Sequence, residues 1–92
     1  MKWIEIIRIS MAENSRVSLE KQISSIKSKL NTEENIEEVK FYRNLLDGDL
    51  SIHLCWNNGK AEPRGSKTGL CLAHLLKEFG ITSHSSWVEK EE

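Results

Sequence analysis

The chain has 92 residues, with 13 lysines and arginines against 14 aspartates and glutamates, and a formal net charge of −1. A chain this short buries about 60–65% of the surface that it exposes when unfolded, so we expect a single domain over residues 1–92 without a large internal cavity. The small net charge gives no global attraction to nucleic acid or to an anionic membrane. Two cysteines without a CxxC spacing, and a charged N-terminal segment unlike a signal peptide or a membrane span, predict a cytoplasmic protein with reduced thiols.

The first predicted element is a β-strand over residues 3–10, WIEIIRIS, which is rich in β-branched residues and lacks glycine and proline. Ile4 and Ile6 fall on one face of this strand, and Ile7 and Ile9 fall on the other. Apolar residues on both faces indicate a strand that is covered on both sides.

The second element is a helix preceded by a polar segment over residues 11–17 that predicts a loop. Ser18 is suited to cap the helix, because its hydroxyl can accept from a free backbone N–H of the first turn. An apolar stripe with spacings of four, three and four residues then predicts the helix, which ends at the sequence NTEEN. The residues of this stripe are Leu19, Ile23, Ile26 and Leu30.

A β-hairpin follows, formed by strands over residues 36–46 and 50–56. The sequence DGD between them is typical of a tight turn. The second strand, LSIHLCW, alternates strictly: Leu50, Ile52, Leu54 and Trp56 share one face, and Ser51, His53 and Cys55 share the other.

The last elements are a helix within residues 68–80 and a strand over residues 81–88. Gly80 is a plausible cap at the end of this helix. The acidic residues from 88 to 92 predict a solvated tail. The predicted core stripe of the helix consists of Leu72, Leu75, Leu76 and Phe79.

The element order βαββαβ predicts the ferredoxin-like α+β fold, in which two helices cover one face of a four-stranded antiparallel sheet. In a monomer the other face of the sheet would be exposed to water, although the first strand is apolar on both sides. A second copy of the chain packed sheet against sheet resolves this conflict, so we expect a homodimer through the sheet face.

The chain resembles the dimeric α/β-barrel superfamily, which includes cofactor-independent monooxygenases of antibiotic biosynthesis and haem-degrading enzymes. The element order carries this resemblance over nearly the whole chain. Local support comes from a hairpin strand ending in HLCW, a Gly–Leu–x–Leu–Ala start to the second helix and the closing sequence FGITSHSSW.

In the oxygenases of this superfamily, aromatic and histidine side chains line a pocket between the sheet and the helices. Trp56 is similar in placement to a strand-end tryptophan there, and His74 lies on the helix that often carries a pocket histidine. The first strand has no asparagine where the haem-degrading members carry a catalytic one, which disfavours haem degradation.

The loop over residues 57–69, NNGKAEPRGSKTG, has the composition of a phosphate-binding loop but the wrong spacing. Five residues separate its first two glycines, and Ser66 stands between the second glycine and Lys67, so we predict no nucleotide binding. A weaker hypothesis is that Ser66 or Thr68 begins a helix whose N-terminus, beside Arg64 and Lys67, holds a carboxylate or phosphate. The alternative is a solvated basic loop that caps its own helix.

The His-x-Cys pair of His53 and Cys55 is the candidate metal site, because residues two apart on a strand project to the same side. No second pair matches it, and the first strand separates His53 from the strand of His84. We therefore expect no metal and no cofactor, and we interpret the pair as a polar patch on the sheet face. His53 and His84 are the candidate catalytic residues, since an enzyme of this type needs a group able to move a proton.

The predicted function is that of a homodimer that binds a small anionic or aromatic ligand, in the manner of a cofactor-independent monooxygenase or isomerase. The alternative is a non-catalytic ligand-binding or regulatory module of the same fold. No nucleic-acid or membrane partner is expected, because the chain has no aromatic RNA-binding run and the segment EENIEE repels phosphate. The predicted ligand-binding residues are Trp56, Arg64, Ser66, Lys67 and Trp87.

Overall fold

The computed structural model describes residues 2–57 and 59–90 of the chain. Its elements, in chain order, are β1 (Trp3–Ser10), α1 (Glu13–Glu20), α2 (Ile23–Leu30), β2 (Ile36–Arg43), β3 (Leu50–Trp56), α3 (Lys67–Leu76) and β4 (Ile81–Val88). The strands form one antiparallel sheet in the order β2-β3-β1-β4. The predicted ferredoxin-like α+β fold is confirmed, and β1 lies in the middle of the sheet between β3 and β4.

The two faces of β1 have different surroundings. Ile7 and Ile9 are fully buried in the core beneath the helices, whereas Ile4 and Ile6 are only half-buried on the other side. We call that other side the open face of the sheet; His53 of β3 lies on it as well, because it pairs with Ile6. The helix-facing core also includes the fully buried side chains of Leu19, Ile52, Leu54 and Leu76.

The predicted loop over residues 11–17 is wrong, because α1 begins at Glu13. Ser18 therefore lies inside α1 and does not cap a helix. A turn at residues 21–22 separates α1 from α2, so the sheet carries three helices where the sequence predicted two. Leu19 is the only buried residue of α1 within the described chain. A helix with one buried residue has no apolar periodicity to predict it.

The remaining bounds agree more closely with the pattern. Strands β3 and β4 match the predicted ranges, and Gly48 in the hairpin turn has a φ of 77°, which favours glycine. Strand β2 ends at Arg43, three residues before its predicted end, and α3 ends at Leu76. In α3 the stripe is shifted: Leu75 is exposed, and Gly69 and Ala73 are buried against the sheet.

None of the helices in the described ranges is both long and apolar enough to cross a bilayer. Of the predicted acidic tail, the described residues from Val88 to Lys90 are exposed, and Glu91 and Glu92 lie outside the described residues.

Candidate functional site

A buried carboxylate lies at the centre of the sheet, beneath the start of α3. Glu5 of β1 has an exposed fraction of 0%. Its Oε1 accepts a hydrogen bond from Nε1 of Trp56 at 2.8 Å, and its Oε2 lies 2.6 Å from Nε2 of His84. We call Glu5, Trp56 and His84 the polar cluster. A fully buried charged group requires partners of this kind, because desolvation without them is costly.

The register of the sheet brings these three side chains together. Glu5 is paired with Leu54 on β3 and with Ser86 on β4. Trp56 and His84 each stand two residues from those partners, so they lie diagonally across from Glu5 on the same face of the sheet. The indole of Trp56 also stacks on that of Trp3, with ring centroids 5.7 Å apart. Each member of the cluster is thereby fixed by a different strand.

Two glycines form the roof of the polar cluster. A Cβ atom at Gly69 would lie 1.9 Å from Oε2 of Glu5, and one at Gly65 would lie 2.1 Å from Cε1 of His84. The backbone of Gly65 has, in addition, a φ of 98°, which residues other than glycine rarely adopt. The backbone therefore approaches Glu5 and His84 more closely than any other residue type would permit.

The first turn of α3 lies close to the same carboxylate. Ser66 caps the helix, because its Oγ accepts from the backbone N–H of Gly69 at 2.9 Å. The preceding loop is tied to β4 through Ser86, whose hydroxyl donates to the carbonyl of Glu62 at 2.7 Å. The positive end of the helix therefore lies next to the side chain of Glu5.

The hydrogen-bond pattern assigns a chemical role to His84. An ionised carboxylate can only accept hydrogen bonds, so with Glu5 in that form Nε2 of His84 is the donor, and a neutral His84 ring then carries its lone pair on Nδ1. Because 14% of the His84 side chain is exposed, the ring is not sealed from solvent. An imidazole that is oriented by a buried carboxylate can accept a proton and stabilise the charge that results.

A second feature is a groove between α2 and α3, with a volume of about 570 Å³. We call it the helix groove. Its floor includes the apolar side chains of Ile26, Leu30 and Leu72, and Lys29 and Lys67 lie on its walls. The other lining residues are Gln22, Ser25, Glu33, Thr68, Cys71 and Leu75. The lining includes no member of the polar cluster.

The predicted site residues are divided among different surfaces. The polar cluster contains Trp56 and His84, and Ser66 caps the helix above it. Arg64 is exposed on the loop, and Lys67 lines the helix groove.

Two further predicted residues, His53 and Trp87, lie on the open face of the sheet. Trp87 is 55% exposed, and its Nε1 donates to Oγ of Ser85.

His53 and His84 lie on opposite faces of the sheet, since His53 pairs with Ile6 and His84 with Ile7, so the two rings cannot bind one metal ion. Nε2 of His53 lies 3.0 Å from Oγ of Ser51, and the ring contacts that of Tyr42 at a centroid distance of 4.6 Å. Burial, and then the charge of Lys40, lower the pKa of His53.

The neighbouring thiol on the open face is not activated. Burial, and then the nearby carboxylate of Glu38, raise the pKa of Cys55, so the thiol form is favoured over the nucleophilic thiolate. Cys71 is also free, and it is exposed in the helix groove. His74, the helix histidine that the resemblance pointed to, is exposed on the outer side of α3.

Glu5 is the residue that sequence reasoning missed. The signal was present, because Glu5 is the one charged residue on the face of β1 that also carries Trp3, Ile7 and Ile9. A charge at the centre of an apolar face indicates a buried polar network rather than a solvated side chain.

The fold and the buried cluster define a small ferredoxin-like protein with a polar centre between its sheet and its helices. No family model and no curated protein matches the sequence. Several solved structures match over almost their entire length, and three of them come from Mycobacterium, Streptomyces and Deinococcus species. Rv0793 from Mycobacterium tuberculosis has a TM-score of 0.73 and 15% identity, covering 100% of this chain and 98% of that one. SnoaB from Streptomyces nogalater, a cofactor-independent oxygenase, has a TM-score of 0.72 and 12% identity, covering 99% and 95%.

The third structure, a putative antibiotic biosynthesis monooxygenase from Deinococcus radiodurans, has a TM-score of 0.70 and 15% identity, covering 98% of this chain and 94% of that one. At these identities the likeness defines the fold and does not transfer an activity. The predicted resemblance is confirmed at the level of the fold, which this chain shares with these three structures.

Proposed function

We propose that this chain forms a homodimer that removes a proton from a small enolisable aromatic substrate, as a cofactor-independent monooxygenase or isomerase. The observation that carries the proposal is the hydrogen bond between Nε2 of His84 and the buried carboxylate of Glu5. In this proposal His84 is the general base, and Glu5 is a positioning residue that stabilises the imidazolium. Trp56 holds the second oxygen of Glu5 and so fixes the orientation of the carboxylate.

The proposed chemistry begins at a carbon next to a carbonyl group. Nδ1 of His84 takes a proton from a CH2 group there, which leaves an enolate. In the monooxygenase version the enolate carbon gives its electrons to O2 and forms a C–O bond, and the imidazolium returns its proton to the peroxide. Loss of water from the hydroperoxide gives a ketone, so that CH2 and O2 become C=O and H2O. In the isomerase version the imidazolium returns the proton to a different carbon.

The homodimer part of the proposal rests on the open face of the sheet. Ile4 and Ile6 lie near its centre on β1, and pairing with a second copy would remove them from water. Two free cysteines suit a reducing compartment, so we also propose a cytoplasmic location.

The test uses anthrone, an enolisable aromatic ketone, and compares the three histidines of the chain. Hydrogen–deuterium exchange at the CH2 group, measured by NMR, reports proton removal, and an oxygen electrode reports O2 uptake. We expect His84→Gln to lower the exchange rate at least 100-fold, because general bases contribute about 10²–10⁴-fold. The matched variants His53→Gln and His74→Gln should retain wild-type rates. Equal rates in all three variants would exclude His84 as the base.

A non-catalytic ligand-binding module is the second candidate function. It is supported by the separation of the helix groove from the polar cluster, since the groove lining includes neither Glu5 nor His84. Such a module would bind ligands in thermal-shift experiments and would leave the exchange rate of anthrone at its value in buffer.

A further inference from the structure

The helix groove has the shape and the chemistry of a site for an amphipathic molecule. Its volume of about 570 Å³ lies within the range of about 300–1,000 Å³ that is common for ligand sites. The apolar side chains of Ile26, Leu30, Leu72 and Leu75 come from both helices. Leu75 is exposed although it belongs to the apolar stripe of α3, so the groove leaves apolar surface in contact with water.

The charges around the groove favour an anion. Lys29 of α2 and Lys67 of α3 both line the groove, and within residues 2–57 and 59–90 neither forms an ion pair. Glu33, whose Oε1 accepts from Oγ1 of Thr68 at 2.6 Å, adds one negative charge, so the two lysines leave the lining with a net charge of +1. Lys67 and Thr68 also open α3, where backbone N–H groups without helical partners add positive potential.

We infer that the helix groove is a binding site for an apolar monocarboxylate, such as a medium-chain fatty acid. The apolar part lies between α2 and α3, and the carboxylate lies at the end where Lys29 and Lys67 meet it. The sequence placed an anion at the start of this helix beside Arg64 and Lys67; the groove retains Lys67 and not Arg64, and there charge and apolar surface occur together. A carboxylate of this kind satisfies both features, whereas an inorganic anion uses only the charge.

The site is compatible with the proposed homodimer. The groove is on the helix layer, and pairing through the open face of the sheet would cover the opposite side of the molecule. The inference is also independent of proton transfer by His84, because the polar cluster is absent from the groove lining.

The two cysteines provide a probe that is built into the protein. Cys71 lines the groove and is exposed, whereas Cys55 is half-buried on the open face. We would treat the full chain with N-ethylmaleimide and quantify the modification of each cysteine by mass spectrometry, with decanoate present below its micelle-forming concentration. Decanoate should slow modification of Cys71 at least fivefold and leave the rate at Cys55 unchanged. Decanol, which has the same chain without the charge, should give the same protection only at about tenfold higher concentration.

Charge variants then test the position of the carboxylate. Replacing Lys29 and Lys67 with alanine should raise the decanoate concentration needed for half-protection about tenfold, to that of decanol. The matched control replaces Lys60 and Arg64, which lie on the neighbouring loop outside the groove lining, and should leave that concentration unchanged. The inference is overturned if decanoate does not protect Cys71, or if both double variants weaken protection equally.

A His84→Gln variant separates this inference from the proposed function. It should lower the rate of anthrone exchange at least 100-fold and retain full protection of Cys71 by decanoate. Loss of anthrone exchange with intact protection supports both ideas, and intact exchange without protection refutes the groove site alone.

Discussion

A methyl group at position 69 should disrupt the polar cluster, and the Gly69→Ala variant tests the packing described above. The added Cβ would lie 1.9 Å from Oε2 of Glu5 and 3.0 Å from Nε2 of His84. The end of a glutamate side chain can usually move aside at small cost. Here it is fully buried and held by hydrogen bonds on both oxygens, so moving it breaks a bond to His84 or to Trp56.

The expected loss of stability follows from three contributions. A hydrogen bond to a charged group contributes about 1.5–3 kcal/mol, and overpacking a well-packed site costs about 1–3 kcal/mol. Replacing a helical glycine with alanine returns at most about 1 kcal/mol. The net cost is therefore about 1.5–6 kcal/mol, and a value of about 3 kcal/mol within this range corresponds to a decrease in Tm of about 12–24 °C for a domain of this size.

The assay is urea unfolding and a thermal melt followed by circular dichroism, at one protein concentration. Gly59→Ala is the control for an added Cβ that meets no neighbour, because no atom lies within 4 Å of it; unlike Gly69, Gly59 has a positive φ. That change should cost only backbone strain of about 1–2 kcal/mol.

A double-mutant cycle identifies the cause of the loss. In a Glu5→Ala background the clashing carboxylate is gone, so Gly69→Ala should cost less than about 0.5 kcal/mol. The coupling between the two positions should therefore be about 2 kcal/mol or more. An unchanged cost in that background, or a Gly69→Ala variant as stable as the wild type, would refute the close approach of α3 to the carboxylate.

Three further predictions concern the open face and the loop. Ile6→Asp should yield a folded monomer in sedimentation experiments, whereas Ile7→Asp should unfold the chain, since only Ile7 is in the core. A wild-type protein that is monomeric at micromolar concentration would contradict the proposed dimer. Burial and the charge of Lys40 lower the pKa of His53 below 6.5. The unfolded chain therefore binds a proton at His53 more tightly than the folded protein does, so stability should decrease as the pH falls below about 6.5. In urea unfolding at pH 7 and pH 5, His53→Gln should reduce the loss of stability between the two pH values. An unchanged loss would contradict the role of His53. Calorimetry with ATP and GTP should detect no saturable binding by the loop over residues 57–69, and micromolar affinity would contradict the spacing argument.

The sequence by itself determined most of the elements. Strict alternation defined β3, and the spacing of apolar residues defined α2, because these patterns are local and follow directly from the strand and helix repeats. Local chemistry also predicted the glycine turn at Gly48 and placed a candidate cap at Ser66. The two-sided apolar pattern of β1 was likewise a local observation, and it led to the predicted sheet-face dimer.

Only the tertiary structure decided which side chains meet. Whether His53 or His84 faces the helices depends on strand order and register, which bring together residues that are 79 positions apart, such as Glu5 and His84. The same long-range pairing makes Glu5 a buried hydrogen-bond acceptor, whereas local sequence shows only one charge in a strand. Residues 13–17 of α1 were predicted as a loop for the related reason that α1 has a single buried residue, Leu19, in the described chain and therefore gives no periodic signal. Register and packing are properties of distant segments in contact, so no local pattern can encode them.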